Sequence, residues 1–376
     1  MNRAPRKNQQ YVSTVVDAAL VDRLQRARSN PSVSVLVTTT PAAILTSRDA
    51  VRLHRLVDVA CRRLRSEPDQ ELATALAKRV RHLTVAVRRS STTRAMALFV
   101  SEDHCEVVYL PAAVADRVVI DPTFATRDLV RLLADHPRYR LVALSDHGAR
   151  LFEGRPGELA EITTGQFPIT LRSTPEHNDR GRRFGRDRSS GRDAALRAHL
   201  RAVDHFLSSR MAHDPLPLIL AGVSRQVATF RQVTRRETSI IGTIAGNHDR
   251  SSPARLDALA RPIIENHRDH ERATGAASLD DSAHSRRLAK GIDAVWVAAR
   301  NGQIEALYVE DGFTFAARLA HDGRCLSAAS DAEHPDVLDD AVDEAIEYVN
   351  ASHGRTVIVD DGSLIAHKRI AALLRT

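Results

Sequence analysis

The hydrophobic positions of residues 1–137 alternate between helical and strand-like spacing. Val16, Leu20 and Leu24 lie one turn apart and predict a helix from Ser13 to Arg28. The alternating, β-branched run at 32–39 predicts a strand. The same reasoning gives helices at 47–65, 69–87 and 124–134 and a strand pair at 94–100 and 106–110. We therefore expect an α/β domain over residues 1–137.

Residues 138–273 repeat the alternation of strands and helices, with one interruption. Strands are expected at 139–145, 149–152, 158–162, 167–171, 216–221 and 238–244, and helices at 194–211, 224–233 and 254–272. In the interruption, residues 172–193, Phe184 is the one large apolar side chain. A segment this polar cannot pack into a core, so we expect an exposed, mobile loop.

Residues 274–376 predict a third α/β domain. A linker at 274–281 is followed by a helix at 284–290 and strands at 294–299 and 306–309. A helix at 335–352 and a strand at 356–359 complete the pattern, and the acidic run from Asp336 to Glu344 is interpreted as the solvated face of that helix. The whole chain is thus expected to be α/β, with three successive domains and mixed sheets flanked by helices.

Composition favours a polyanionic partner. The 376 residues suit two or three domains, and 54 Lys plus Arg against 47 Asp plus Glu give a formal net charge of +7. Nearly all the cations are arginine, which binds phosphate through a planar fork. An arginine-rich composition also follows from a GC-rich genome, so charge alone leaves nucleic-acid binding open.

Cysteine use and hydropathy point to the cytoplasm. Cys61, Cys105 and Cys325 lie far apart, form no CxxC pair and are expected to be core thiols, which argues against disulfides and zinc. The basic N-terminus is not followed by an apolar stretch, and no unbroken run of apolar residues is long enough for a membrane helix. We expect a cytoplasmic protein that carries no cofactor and no metal.

The order of units resembles that of a known family. The segment YRLVALSDHGARLF at 139–152, the basic loop, RAHLRAVDHFL and PLILAGV are similar to the middle domain of class 1 release factors and Pelota. AKGIDAVWVAARNGQIEALYVE and DVLDDAVDEAIEYVNASHGRTVIV resemble their third domain. The likeness covers roughly 139–376, and the nearest group is the bacterial archaeo-eukaryotic release factor family, baeRF.

This resemblance implies a ribosome-facing protein of release-factor type whose middle-domain loop reaches toward tRNA or ribosomal RNA. It also implies a translational GTPase as a partner of the third domain. The chain departs from the family in having no Gly-Gly-Gln tripeptide and no codon-reading motif. Gly165-Gln166 is the nearest remnant, but it lacks the first glycine and lies between predicted strands. Stop-codon decoding is therefore not expected.

The loop supplies the candidate RNA-binding residues. Between 172 and 193 there are seven arginines and four acidic residues, a net charge of about +3. Flexible Gly-Arg segments suit phosphate and base contacts, although a solvated linker would have the same composition. The candidate RNA-binding residues are Arg180, Gly181, Arg182, Arg183, Gly185, Arg186, Arg188, Gly191 and Arg192.

A rival signal is the tetrapeptide Gly246-Asn247-His248-Asp249, which occurs in metallophosphoesterases. Such sites also need an upstream Asp-x-His and a Gly-Asp-x-x-Asp, and neither is present. The alternative is a turn that caps the helix beginning near Ser252. His205 is likewise expected to be a boundary or core histidine.

Two functions remain open at this stage. The first is a non-decoding factor that binds the ribosome or tRNA in ribosome rescue, quality control or hibernation. The second is an enzyme, a peptidyl-tRNA hydrolase that acts without Gly-Gly-Gln, for which no catalytic residue can be named. A metal-dependent phosphoesterase is a weaker third alternative.

Overall fold

The computed structural model describes residues 11–13, 16–145, 148–170, 187–281, 287–321, 323–331 and 334–375. The helices are α1 Ala18–Arg26, α2 Ser47–Arg63, α3 Gln70–Val87, α4 Arg127–Asp135, α5 Asp187–His213, α6 Ser224–Val233, α7 Pro253–Asp281, α8 Gly291–Arg300 and α9 Ala341–Ala351. The strands are β1 Tyr11–Ser13, β2 Ser32–Thr38, β3 Ala95–Val100, β4 Cys105–Leu110, β5 Arg117–Asp121, β6 Tyr139–Leu144, β7 Gly148–Gly154, β8 Ala160–Ile162, β9 Ile169–Thr170, β10 Leu218–Gly222, β11 Ile240–Ala245, β12 Leu288–Lys290, β13 Ile304–Glu310, β14 Ala317–Leu319, β15 Leu326–Ala328, β16 Val337–Leu338, β17 Arg355–Val359 and β18 Ile370–Leu374.

The expected α/β class is confirmed, with several mixed sheets flanked by helices. The chain divides into two compact units: residues 136–271, called the middle unit, and residues 1–135 with 272–376, called the split unit. The division into three domains at 137/138 and 273/274 stays a prediction.

The split unit contains one sheet from the N-terminal part of the chain and two from the C-terminal part, the smaller with the order β15-β14-β16. The N-terminal sheet has the order β1-β4-β3-β2-β5, and the larger C-terminal sheet has the order β12-β18-β13-β17. Strand β2 shows why helices cover both faces of the first sheet. Its Val33, Val35 and Val37 pack toward α2 and α3, while Leu36 points to the face that holds α1 and α4.

In the middle unit the sheet has the order β11-β10-β6-β7-β8, and β9 pairs with β7. Strands β6, β10 and β11 are parallel. Both faces of β10 are buried because its side chains alternate: Leu218 and Leu220 face α5 and α6, and Ile219 and Ala221 face α7.

Several sequence expectations near the C-terminus were wrong. The apolar run at 294–299 lies in α8 and is not a strand, and residues 288–290 form β12 and not a helix. The expected linker at 274–281 is the last part of α7. Short apolar runs have no periodicity that separates a strand from a buried helix, which explains these errors.

Among the cysteines, one expectation holds and two do not. Cys61 is buried, Cys105 is half-buried and Cys325 is exposed, so they are not all core thiols.

The acidic run from Asp336 to Glu344 is also misassigned, because most of its α9 part is buried. Asp340, Asp343 and Glu344 are each under 7% exposed. Asp340 caps α9 by accepting the backbone N–H of Val342 at 3.1 Å. These carboxylates face cations from the N-terminal part of the chain and do not face solvent.

Arg127 is the centre of this buried contact. Its Nη2 lies 3.0 Å from Asp340 Oδ2, and its Nε lies 3.5 Å from Asp343 Oδ1. On one side, Arg63 Nη2 pairs with Asp339 Oδ1 at 2.6 Å. A buried arginine between two buried carboxylates recovers part of the cost of removing all three from water.

A second set of contacts extends the network along α9. Thr123 Oγ1 donates to Glu344 Oε1 at 2.7 Å, and Arg28 lies 3.6 Å from Glu344 and 3.4 Å from Glu347. Burial raises the pKa of Glu347 to about 9, and burial with the neighbouring Asp339 raises that of Asp121. The two ends of the chain are therefore joined through carboxyl groups that hold protons tightly.

The stability of the split unit should consequently fall as pH rises. A carboxyl group whose folded pKa is raised stabilises the fold fully below its unfolded pKa, and this contribution is lost as pH rises through the folded value. For Glu347 and Asp340 the folded pKa values are about 9 and about 6. We expect the unfolding midpoint to drop by roughly 5 °C or more between pH 6 and pH 9. The fluorescence of Trp296, the one tryptophan, which is buried against α9, reports on this unit.

Replacing Glu347 with Gln removes the titrating group and keeps the side-chain size. We expect the Glu347→Gln variant to lose most of the decline between pH 7 and pH 9. Glu305→Gln is the control, since Glu305 is exposed and pairs only at the surface with Arg287. If Glu347→Gln and wild type decline equally, buried Glu347 is not the cause.

Candidate nucleic-acid interface

The carboxyl ends of three parallel strands form one edge of the sheet in the middle unit. β6 ends at Leu144, β10 at Gly222 and β11 at Ala245. The N–H of Gly246 donates to the carbonyl of Gly222 at 3.2 Å, which ties two of these ends together. In open α/β sheets this edge is where ligands bind, since the loops that follow the strands converge there.

Gly222 and Gly246 suit these positions for different reasons. A Cβ on Gly222 would lie 3.2 Å from the carbonyl oxygen of Leu144, tighter than most real contacts. Gly246 has φ of +121°, which L side chains rarely adopt. The backbone at this edge can therefore approach more closely than side chains would allow.

The GNHD tetrapeptide forms the turn after β11. His248 is buried, and its ring nitrogens lie 3.2 Å from Ser251 Oγ and 3.2 Å from the Ala245 carbonyl. Ser252 Oγ accepts the N–H of Arg255 at 3.3 Å and so caps α7. These contacts agree with the turn interpretation. Within the described ranges there is no group of three His, Cys, Asp or Glu that could hold a metal.

Arg150 fixes this turn from β7. Its Nη1 donates to the carbonyls of Asp249 at 2.8 Å and Ser251 at 3.0 Å. Its Nε and Nη2 bind both carboxylate oxygens of Glu161, at 2.8 and 2.6 Å, and its guanidinium lies 4.8 Å from the ring centroid of Phe152. The planar guanidinium of Arg150 thus binds two backbone carbonyls of the turn and both carboxylate oxygens of Glu161. These contacts restrict the movement of the turn.

The arginine-rich segment, residues 172–193, is attached to the same edge through Thr170, which lies just before it, and Asp193, its last residue. β9 ends at Thr170, which pairs with Gly148, and Gly148 lies where β7 begins beside the end of β6. At the other end, Asp193 of α5 bonds Arg225 in the first turn of α6, the helix that follows β10. Both anchors therefore lie at the carboxyl edge.

The predicted RNA-binding residues divide into two groups. Arg180, Gly181, Arg182, Arg183, Gly185 and Arg186 lie outside the described residues. Arg188, Gly191 and Arg192 lie in α5, so the loop expected at 172–193 is helical from Asp187 onward. The helix extends because residues 187–193 have no proline to stop it, although their polarity had favoured a loop.

Nearly all of the net positive charge lies in the middle unit. Residues 136–271 contain 22 arginines and no lysine against 16 acidic residues, a net of +6 out of +7 for the chain. The exposed arginines of this unit that the sequence analysis did not single out include Arg197, Arg201, Arg225, Arg250 and Arg255. The spacing of these arginines in the sequence does not predict their exposure, because exposure depends on which helix face the sheet covers.

The remaining signals in the sequence are Gly165-Gln166 and two Asp-His pairs, Asp146-His147 and Asp204-His205, which alone could suggest a hydrolase. Gly165 lies in an open turn with φ of +74°, and Asp146-His147 fall outside the described residues. Asp204 is buried and accepts the hydroxyl of Thr234 at 2.6 Å. Its neighbour His205 is exposed, contrary to the boundary or core position expected.

His199 of α5 is a buried histidine that was not singled out from the sequence. It is 7% exposed, its Nε2 has no hydrogen-bond partner, and burial lowers its pKa. The ring is thus neutral near pH 7 and adds no charge to the arginine-rich surface.

The family model of bacterial archaeo-eukaryotic release factor family 3 matches residues 138–303. The resemblance to this family is confirmed. The match covers the sheet edge, the segment attached to it and the start of the C-terminal sheet. It covers less than half of the chain. No curated protein matches the chain.

Solved structures of low identity also align with the chain. A ribosome-bound archaeal Pelota with ABCE1 is 14% identical, with 96% of this chain and 95% of that chain covered and a TM-score of 0.40. Pelota of Archaeoglobus fulgidus is 18% identical over 75% and 79% of the two chains, with a TM-score of 0.31. Dom34 of S. cerevisiae, described as interacting with Hbs1, is 11% identical over 75% and 73%, with a TM-score of 0.36.

We expect the turn at the sheet edge to depend on Arg150. Arg150→Leu keeps the apolar stem but removes four hydrogen bonds, so amide exchange at 246–251 should accelerate by at least about tenfold, measured by hydrogen–deuterium exchange with mass spectrometry. Arg250→Leu is the matched control, since Arg250 is exposed in the same turn. Unchanged exchange in Arg150→Leu would mean that the turn is held by His248 and Ser252 alone.

Proposed function

We propose that this protein is a non-decoding, release-factor-like translation factor that binds the ribosome or tRNA and acts in ribosome rescue, quality control or hibernation. The observation that carries the proposal is the attachment of an arginine-rich segment, at both ends, to the carboxyl edge of the middle sheet. That unit holds a net charge of +6 without a single lysine.

Charge and position together favour RNA as the partner. Arginines bind phosphate and stack on bases, and their number gives an affinity that depends strongly on salt. The release-factor family match spans the same residues, which supports a ribosomal RNA or tRNA target over a small molecule. The sequence has no Gly-Gly-Gln tripeptide, which release factors use for hydrolysis. Binding is therefore the function that the described residues support.

The proposal also includes a protein partner and a cellular location. A translational GTPase is the partner that the family resemblance implies for residues 274–376. We place the protein in the cytoplasm, where ribosomes are found. None of the described helices has both the length and the apolar character that a membrane crossing requires.

The test is co-sedimentation of the full chain with ribosomes across a salt series. We expect near-stoichiometric pelleting at low salt that declines steeply as salt rises. Replacing Arg182, Arg183, Arg186 and Arg188 with Ala should reduce pelleting by at least tenfold, since four phosphate contacts are lost.

The matched control removes four charges elsewhere. Arg26, Arg48, Arg89 and Arg318 are exposed in the split unit, and their replacement with Ala should leave pelleting near the wild-type level. Equal loss in both variants would show that only total charge matters. Absence of pelleting by wild type even at low salt would reject the ribosome as target.

A further inference from the structure

The outward face of the helical pair α2 and α3 is a second charged surface, in the split unit. The inward faces of both helices cover the N-terminal sheet through residues such as Leu53 and Leu76. Cavities of about 300 and 570 Å³ lie along the pair, near the start of α3 and near the start of α2. We call this surface the α2–α3 face.

Cations line both cavities. Arg65, Lys78 and Arg81 surround the first, above an apolar floor that includes Leu64 and Ala77. Arg55 and Arg88 line the second, together with the acidic Asp58. Five cations and one carboxylate give the linings of the two cavities a net charge of +4, so they suit an acidic partner.

Branched aliphatic side chains are exposed on both helices of the pair and just before α2. Ile44, Val51 and Val85 are 62%, 54% and 66% exposed. They are three of the seven large hydrophobic side chains that are exposed among the described residues. Val51 lines the second cavity, and Val85 lies in the last turn of α3, three residues before the C-cap residue Arg88. At the second cavity an exposed apolar side chain therefore lies beside cationic ones.

Composition separates a peptide from a nucleic acid here. Residues 47–89 contain no Phe, Tyr or Trp, and His54 is the one aromatic ring that lines either cavity, so the face offers little ring surface for base stacking. A phosphodiester backbone would also leave Val51 and Val85 without an apolar contact. A partner helix satisfies both features, because one face can carry apolar side chains and its flanks can carry carboxylates.

We propose that the α2–α3 face binds an acidic amphipathic helix of a partner protein. From Val51 to Arg65 the face is about 21 Å long, which matches a helix of about 14 residues. Apolar side chains of that helix meet Val51 and Val85, and its carboxylates meet Arg65, Lys78 and Arg81. This inference does not depend on ribosome binding by the middle unit.

The test uses the full chain and a fluorescent synthetic peptide of about 14 residues made of Glu, Leu and Ala, with leucines three and four apart. A scrambled peptide has the same charge but no apolar face. We expect a Kd in the micromolar range for the amphipathic peptide and at least tenfold weaker binding of the scrambled one, by fluorescence anisotropy.

Two variants separate the contributions of the face. Val51→Ser with Val85→Ser, and Arg65→Ala with Lys78→Ala and Arg81→Ala, should each weaken binding by about tenfold or more. The control replaces the exposed cations Arg26, Lys290 and Arg318 with Ala, removing the same charge away from the face. Unchanged thermal unfolding shows that each variant is folded.

Other outcomes would overturn the proposal. Equal binding of both peptides would show that only charge is recognised. A single-stranded RNA of equal charge that binds more tightly, and loses binding in the triple variant, would make the face an RNA contact. A wild-type dimer in solution that Val51→Ser with Val85→Ser dissociates would make it a self-association surface.

Discussion

The buried ion network around Arg127 is the constraint on which the split unit depends. Arg127 comes from the N-terminal part of the chain, and its partners Asp340 and Asp343 come from α9 more than 200 residues later. Removing a buried arginine from such a cluster would leave two buried carboxyl groups without a cation, which is strongly destabilising. The pairing therefore selects one arrangement of the two ends of the chain.

Because the two ends of the chain form one unit, residues 136–271 are an insertion in the sequence of the split unit, between Asp135 and Arg272. Arg272 Nη2 lies 2.8 Å from Asp135 Oδ1, so an ion pair closes the split unit at that point. The middle unit has its own sheet with a core on each face. It can present its carboxyl edge without contributing to the buried network of the split unit.

Sequence reasoning succeeded where periodicity was unambiguous. It placed β2, β6 and β10 and helices α2, α3 and α6 to within about two residues, because alternation and helical spacing persist over each element. It misjudged α8 because a six-residue apolar run fits a strand or a helix equally well. The arginine-rich segment was visible in composition, but its attachment to the sheet edge required the pairing of Thr170 with Gly148.

The acidic residues of α9 show why charge patterns mislead when partners are distant in sequence. Asp340 and Glu344 resemble a solvated helix face until Arg127 and Thr123 are brought against them. The split unit balances its charge internally, with a net of only +1 over its residues, whereas the middle unit has an excess of arginine that its own carboxylates cannot match. An excess of positive charge is destabilising because the arginines repel one another. Binding to a polyanionic partner reduces this repulsion. The distribution of charge between the units, more than its total, is thus what supports the proposed contact of the middle unit with a polyanion.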